Sequence, residues 1–108
     1  MTRVLIADVQ QAVAKRYRLP LNVMRELDGF GTRTAERTRA RQVGMYLARH
    51  VCKLPVYRTP ATVTMIGKSF NRDHSTVCHA IQKIERERGK DPILNEEVTG
   101  LMSQLCEA

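Results

Sequence analysis

Apolar residues recur at steps of three and four along nearly the whole chain, the spacing that lines side chains along one face of an α-helix. Ile6, Val9, Val13 and Tyr17 draw the first stripe. Pro20 opens a second, short helix with Leu21, Met24 and Leu27 as its inner face. Asp28-Gly29-Phe30-Gly31 stops it, because glycine reaches the backbone angles that a helix end needs. Residues 31–38 are polar and basic, and a third helix follows them with Val43, Tyr46, Leu47, His50 and Val51 on one face. Leu54-Pro55 marks its end, and Thr59-Pro60 reads as an N-cap followed by a first-turn proline. The short helix that starts there turns Val63, Ile66 and Phe70 inward. Asn71-Arg72 makes a tight turn, and Asp73 caps a helix whose buried stripe is Val77, Ala80, Ile81 and Ile84. Gly89 stops that helix; Asp91-Pro92 starts a last one, with Leu94, Val98, Leu101 and Leu105 inside. No alternating strand pattern competes, since Pro55-Val56-Tyr57 is too short to matter, and there is no internal repeat. The expected fold is all-α, with about six helices counting short ones.

At 108 residues the chain makes one domain, 1–108. Its 43% hydrophobic and 27% charged residues are ordinary for a globular protein. No apolar run approaches the length of a membrane span, and the size leaves no room for a multi-step enzyme with a cofactor domain. Cys52, Cys78 and Cys106 are an odd count without C-x-x-C spacing, so neither a disulfide framework nor a zinc knuckle is expected. Reduced thiols suit a cytoplasmic protein. Val4-Leu5-Ile6-Ala7 before Asp8 is too short for a signal-peptide core.

Charge sharpens the picture. Eighteen Lys and Arg face eleven Asp and Glu, a net +7 that suits a polyanionic partner. The excess sits in one basic block, 33–58, where seven basic residues meet only Glu36. Arg33, Arg37 and Arg41 are four apart and share a helical face, while Arg39 points elsewhere. A merely solubilising surface mixes signs, so the block is expected to neutralise phosphates. The two helices around the 70–73 turn form a candidate helix-turn-helix over about 60–88, followed by the C-terminal helix at about 92–106. In such a motif the second helix enters the major groove by its N-terminal residues, here Asp73, His74, Ser75 and Thr76. All four are short and polar: a carboxylate accepts from cytosine N4, hydroxyls donate or accept, and a threonine methyl packs on thymine. His79 and Lys83, four apart, flank that face toward phosphate. Capping chemistry alone also explains Asp-x-Ser-Thr at a helix start; the upstream helix, the short turn and the basic block favour the DNA reading.

Arg39-Ala40-Arg41-Gln42-Val43-Gly44-Met45-Tyr46-Leu47-Ala48 and, more strongly, Arg72-Asp73-His74-Ser75-Thr76-Val77-Cys78-His79-Ala80 followed by Lys83-Ile84-Glu85 carry a family resemblance. The sequence resembles the C-terminal DNA-binding domain (domain IV) of the bacterial chromosomal replication initiator DnaA, with a Trp-repressor-like helix-turn-helix, from about residue 4 to 105. The resemblance implies sequence-specific binding of double-stranded DNA at short initiator boxes. It implies base reading by Arg39 in the minor groove and by Thr64, Asp73, His74, Ser75 and Thr76 in the major groove. Arg33, Arg37, Arg41, Gln42, Lys68, Arg72, His79 and Lys83 complete the expected set, on phosphate. Three departures stand out. The turn Phe70-Asn71-Arg72-Asp73-His74 is one residue shorter than the family's, residues 52–62 are longer, and Gly44 replaces a preferred alanine, which costs a helix about 1 kcal/mol. Such initiators also carry an ATPase module, for which this chain has no room. It is either an excised fragment or a free-standing relative, and Met1 followed directly by a helix suits the latter.

The remaining signals do not reach a functional pattern. Gly67-Lys68-Ser69 ends like a phosphate loop but lacks the earlier glycine, with Thr62 in its place, and lacks a preceding strand. Asp73-His74-Ser75 cannot form a catalytic triad, because adjacent helix positions diverge by about 100°. His74 and Cys78 offer at most two metal ligands. Exposed aromatic platforms for single strands are too few. The expectation is therefore a cytoplasmic, nucleoid-associated, non-enzymatic DNA-binding protein that regulates replication initiation or transcription, without cofactor, metal, nucleotide or membrane. The alternative is a protein-interaction module that binds the replication initiator, with vestigial DNA contact.

Overall fold

The computed structural model describes residues 4–27, 34–52 and 61–107. Five α-helices and one 3-10 helix make up its regular structure: α1 (Ile6–Tyr17), the 3-10 helix (Leu21–Met24), α2 (Ala35–Val51), α3 (Val63–Phe70), α4 (His74–Arg88) and α5 (Pro92–Glu107). The all-α expectation holds, including the short element.

α2 is the axis of the domain. Ala40, Val43, Gly44, Met45, Leu47 and Ala48 are buried around its circumference, the pattern of a helix enclosed by its neighbours rather than lying on a surface. It begins at Ala35, inside the stretch expected to precede it, because the Thr34 hydroxyl accepts from the Arg37 N–H at 3.2 Å and caps that end. α1 brings Val9, Val13 and Ala14 to the core. The buried Gln10 amide donates to the Ser69 carbonyl at 2.8 Å and ties α1 to α3. α5 is capped by the Asp91 carboxylate, which accepts from the N–H groups of Ile93 and Leu94, and it buries Leu94, Val98, Leu101 and Leu105 as the periodicity predicts.

Three local expectations change. The second element is a single 3-10 turn, so it buries adjacent residues: Val23 and Met24 face the core, while Leu21 and Leu27 are exposed. His50 lies outside on α2, its ring tilted against Tyr46 at 4.3 Å between centroids. α3 starts not at Thr59-Pro60, which lies outside the described residues as do Asp28-Gly29-Phe30-Gly31 and Leu54-Pro55, but at Val63. There the Thr62 hydroxyl accepts from the Met65 N–H.

Gly44 has a reason that helix propensity does not see. A Cβ at this position would stand 2.9 Å from Cε2 of the fully buried Phe70 and 3.6 Å from the Met24 sulfur. The glycine lets α2 and α3 approach closely enough to enclose that ring. Arg18, the residue after α1, takes the left-handed conformation (φ 57°), which costs an L-residue with a side chain roughly 1–2 kcal/mol.

A polar seam joins α4 to α2 and α5. Arg88 donates to the Tyr46 hydroxyl, to Asn95 and to Thr99, and the Tyr46 hydroxyl donates to Glu85. Burial first, then the Glu85 carboxylate, push the Tyr46 phenol up. Cys52 is buried, Cys78 half-buried and Cys106 exposed, all as free thiols; burial pushes Cys52 up to about 11. Among the described residues no group of three or more His, Cys, Asp or Glu is placed to hold a metal. No helix there is long and apolar enough to cross a membrane.

Candidate nucleic-acid interface

The link from α3 to α4 is held by several independent constraints. Asn71 takes the left-handed conformation (φ 58°) that ends α3, a conformation asparagine tolerates better than most residues. The chain then doubles back, and the Arg72 N–H donates to the Gly67 carbonyl at 2.8 Å. A Cβ on Gly67 would sit 2.5 Å from the Arg72 carbonyl oxygen, so this turn requires glycine. The Asn71 amide donates to the Arg25 carbonyl, and the Arg72 guanidinium donates to the carbonyls of Phe70 and Asn71. Gly67, Lys68 and Ser69 fall inside α3, consistent with a packed helix rather than a phosphate loop.

The Asp73 carboxylate then starts α4 by accepting from the Thr76 N–H at 2.9 Å. The Thr76 hydroxyl and, to a lesser extent, its backbone N–H hold that carboxyl below its ordinary range. Val77, Ala80 and Ile84 anchor the helix in the core. Asp73, His74, Ser75 and Thr76 are all exposed at its first turn. A helix pinned by its apolar face and presenting four short polar side chains at its N-terminus has the geometry the helix-turn-helix reading requires.

Beside that turn runs an open groove between α2 and α4. Thr38, Arg41, Gln42 and Met45 line it from α2; Arg72, Thr76, His79 and Lys83 line it from the other side. Five of the eight residues expected on phosphate (Arg41, Gln42, Arg72, His79 and Lys83) therefore meet in one place. Thr38 is a groove residue that the sequence reading missed. Its spacing of three and four from Arg41 and Gln42 was the available signal. Thr64 and Lys68 are exposed one turn apart on α3 and do not line the groove. Arg33 lies outside the described residues.

The basic block is less free than its local composition implies. Glu26 accepts from Arg37 at 2.8 Å and from Arg41 at 2.8 Å. Arg41 is only 4% exposed and also donates to the Val23 carbonyl. Arg37 and Arg41 are thus in part structural, which corrects the picture of a face without acidic partners. The counter-charge comes from outside the 33–58 window. Arg39 lies within α2, and its guanidinium reaches the Glu87 carboxylate at 2.6 Å. The approach is off the hydrogen-bonding direction, so charge rather than an aligned hydrogen bond holds that pair. Arg39 is not among the groove residues.

Comparison with known proteins agrees with this architecture. The family model described as the bacterial dnaA protein helix-turn-helix matches residues 6–84. The chain is 43% identical over 104 residues to the chromosomal replication initiator protein DnaA of Bradyrhizobium sp. (strain BTAi1), covering 95% of this chain and 20% of that protein. It is 42% identical over 106 residues to the proteins of that name from Rhodopseudomonas palustris (strain BisA53) and Nitrobacter hamburgensis, covering 97% of this chain and 20% of each. The chain spans about a fifth of the length of the curated relatives it matches. With the matched segment running from α1 through the turn into α4, the chain belongs to the bacterial DnaA helix-turn-helix family.

Proposed function

We propose that this chain is a binding module that recognises double-stranded DNA in a sequence-specific way at initiator-box-like sites. Through that recognition it regulates replication initiation or transcription. The observation that carries the reading is the exposed first turn of α4, set directly beside a groove lined by Arg72, His79 and Lys83. In this scheme Asp73, His74, Ser75 and Thr76 contact base edges, and the Thr64 methyl adds a contact from α3. Arg72, His79, Lys83, Gln42 and Lys68 hold backbone phosphates, which fixes register without reading sequence. Arg33, Arg37 and Arg41 add attraction, the last two reduced by their bonds to Glu26. Arg39 enters the minor groove only after its pair with Glu87 opens.

Selection of bound duplexes from a random pool, followed by gel-shift titration of the selected and scrambled duplexes over a salt series, tests the reading. Retention of one sequence class at moderate salt is expected. Equal, weak binding to every duplex that vanishes as salt rises would refute it and favour the protein-interaction alternative.

A further inference from the structure

Tertiary pairing engages Arg37, Arg39 and Arg41 of the middle block with Glu26 and Glu87, and further cations cluster away from it. One cluster is at the C-terminal end of α1, where Lys15, Arg16 and Arg18 line a cleft with Ala12 and, from α5, Gln104. Among the described residues no carboxylate lines it. Lys15 and Arg18 make no ion pair with any described residue, and Arg16 reaches Glu97 only at 3.4 Å with over half of its side chain exposed. An exposed pair of that length holds its arginine weakly.

Basic residues in a last helical turn complement the helix dipole, which accounts for Lys15 and Arg16. Arg18, the cap residue one position past the helix, shares that interaction but takes it up at a strained backbone position. That residue occupies a left-handed position where glycine carries no steric cost. Its contribution to the helix end is made by its backbone N–H, which bonds Ala14 and Lys15 carbonyls and which any residue but proline supplies. Only the side chain explains an arginine there, and the cleft is what that side chain lines. Backbone strain kept at a charged cleft marks a site where the side chain has a use.

We propose that this cleft is a second phosphate site, which takes a backbone phosphate of a second duplex-DNA segment while the α2–α4 groove holds the first. Arginine offers paired donors to a phosphate and lysine a point charge. The Gln104 amide adds a neutral donor, and the small Ala12 leaves room. The groove is built by α2 and α4 and the cleft by α1 and α5, so the two sites lie on different elements. A membrane surface fits less well. Membrane-surface helices bury an apolar face in lipid, and the apolar face of α1 (Val9, Val13, Ala14) is already in the core. The phosphate chemistry stands independently of the base-reading role of α4; only the choice of DNA as its source rests on that role.

The test compares the whole chain with its Lys15→Ala/Arg18→Gly variant by amide-resolved NMR. Inorganic phosphate, against chloride at equal ionic strength, is expected to shift residues 15–19 and the Gln104 side chain saturably in the parent. In the variant those shifts fall at least fivefold. With duplex in excess, the parent is expected to take up a second, salt-sensitive duplex and the variant only one. Box affinity changes less than twofold, and melting temperature does not fall, because glycine relieves the strain. Phosphate shifts that persist in the variant, or an equal second-duplex uptake by both proteins, overturn the proposal. So do shifts elicited by phosphatidylglycerol vesicles and not by duplex. A parent that shows the phosphate shifts but no preference among duplexes refutes the base-reading role of α4 instead, so the two failures are distinguishable.

Discussion

Replacing Gly67 by alanine sets helix propensity against tertiary geometry at one atom. In the interior of α3 alanine is favoured over glycine by about 1 kcal/mol, so a local argument expects a more stable protein. The added Cβ, however, would stand 2.5 Å from the Arg72 carbonyl oxygen, whereas ordinary contacts begin near 3.4 Å. The obstacle is backbone, and that backbone belongs to the turn held by the Arg72–Gly67 hydrogen bond and the Gln10–Ser69 contact. It must move by most of an ångström, and overpacking of this kind costs about 1–3 kcal/mol or more. We expect the clash at its upper end, about 3 kcal/mol, less the propensity gain: a net loss of about 2 kcal/mol, or roughly 10 °C in melting temperature for a domain of this size. Thermal unfolding followed by circular dichroism measures it. Because the displaced backbone carries Arg72 and leads into Asp73, DNA affinity should fall even where the variant is fully folded. A variant as stable as the parent would refute the claim that this turn demands glycine.

Other expectations follow from the same contacts. Glu26→Gln removes the carboxylate shared by Arg37 and the buried Arg41, and urea unfolding should register a loss of about 3 kcal/mol; an unchanged midpoint would mean the pair is dispensable. Asp73 has a depressed native pKa, so its cap is complete above the ordinary carboxylate value of 3.8 and is lost as pH falls through the lower native value. Asp73→Asn, which caps without titrating, should flatten that acidic part of the stability–pH profile. It should also change the preference at one base pair, read from binding to single-base variants of the selected duplex. Lys83→Ala should weaken binding to all sequences alike and reduce the salt slope by about 0.9 if it removes one phosphate contact; an unchanged slope removes Lys83 from the interface.

Helical spacing made the inner faces of α1, α4 and α5 legible, because i to i+4 periodicity depends on neighbours in the chain. Asp73 was legible as a cap for the same reason, Asp91-Pro92 as a helix start, and so was the exposure of the turn from Asp73 to Thr76. The start of α3 was not, since Thr59-Pro60 and Thr62 both satisfy local cap chemistry. Nor was the inner face of the 3-10 turn, whose four residues are too few to establish a period.

The sequence by itself determined an all-helical domain of the DnaA helix-turn-helix family, with the first turn of α4 facing outward. Only the tertiary structure decided which charges remain available. Glu26 lies 11 and 15 residues from the arginines it binds, and Glu87 meets Arg39 across the packing of α4 on α2. The same packing sets the Phe70 ring against Gly44, so an added Cβ there would meet the ring at 2.9 Å, a contact that α2 alone does not reveal. Side-chain periodicity is written by covalent neighbours and survives in the one-dimensional pattern. Ion pairing and close approach depend on which helices meet, and a window of composition cannot contain that.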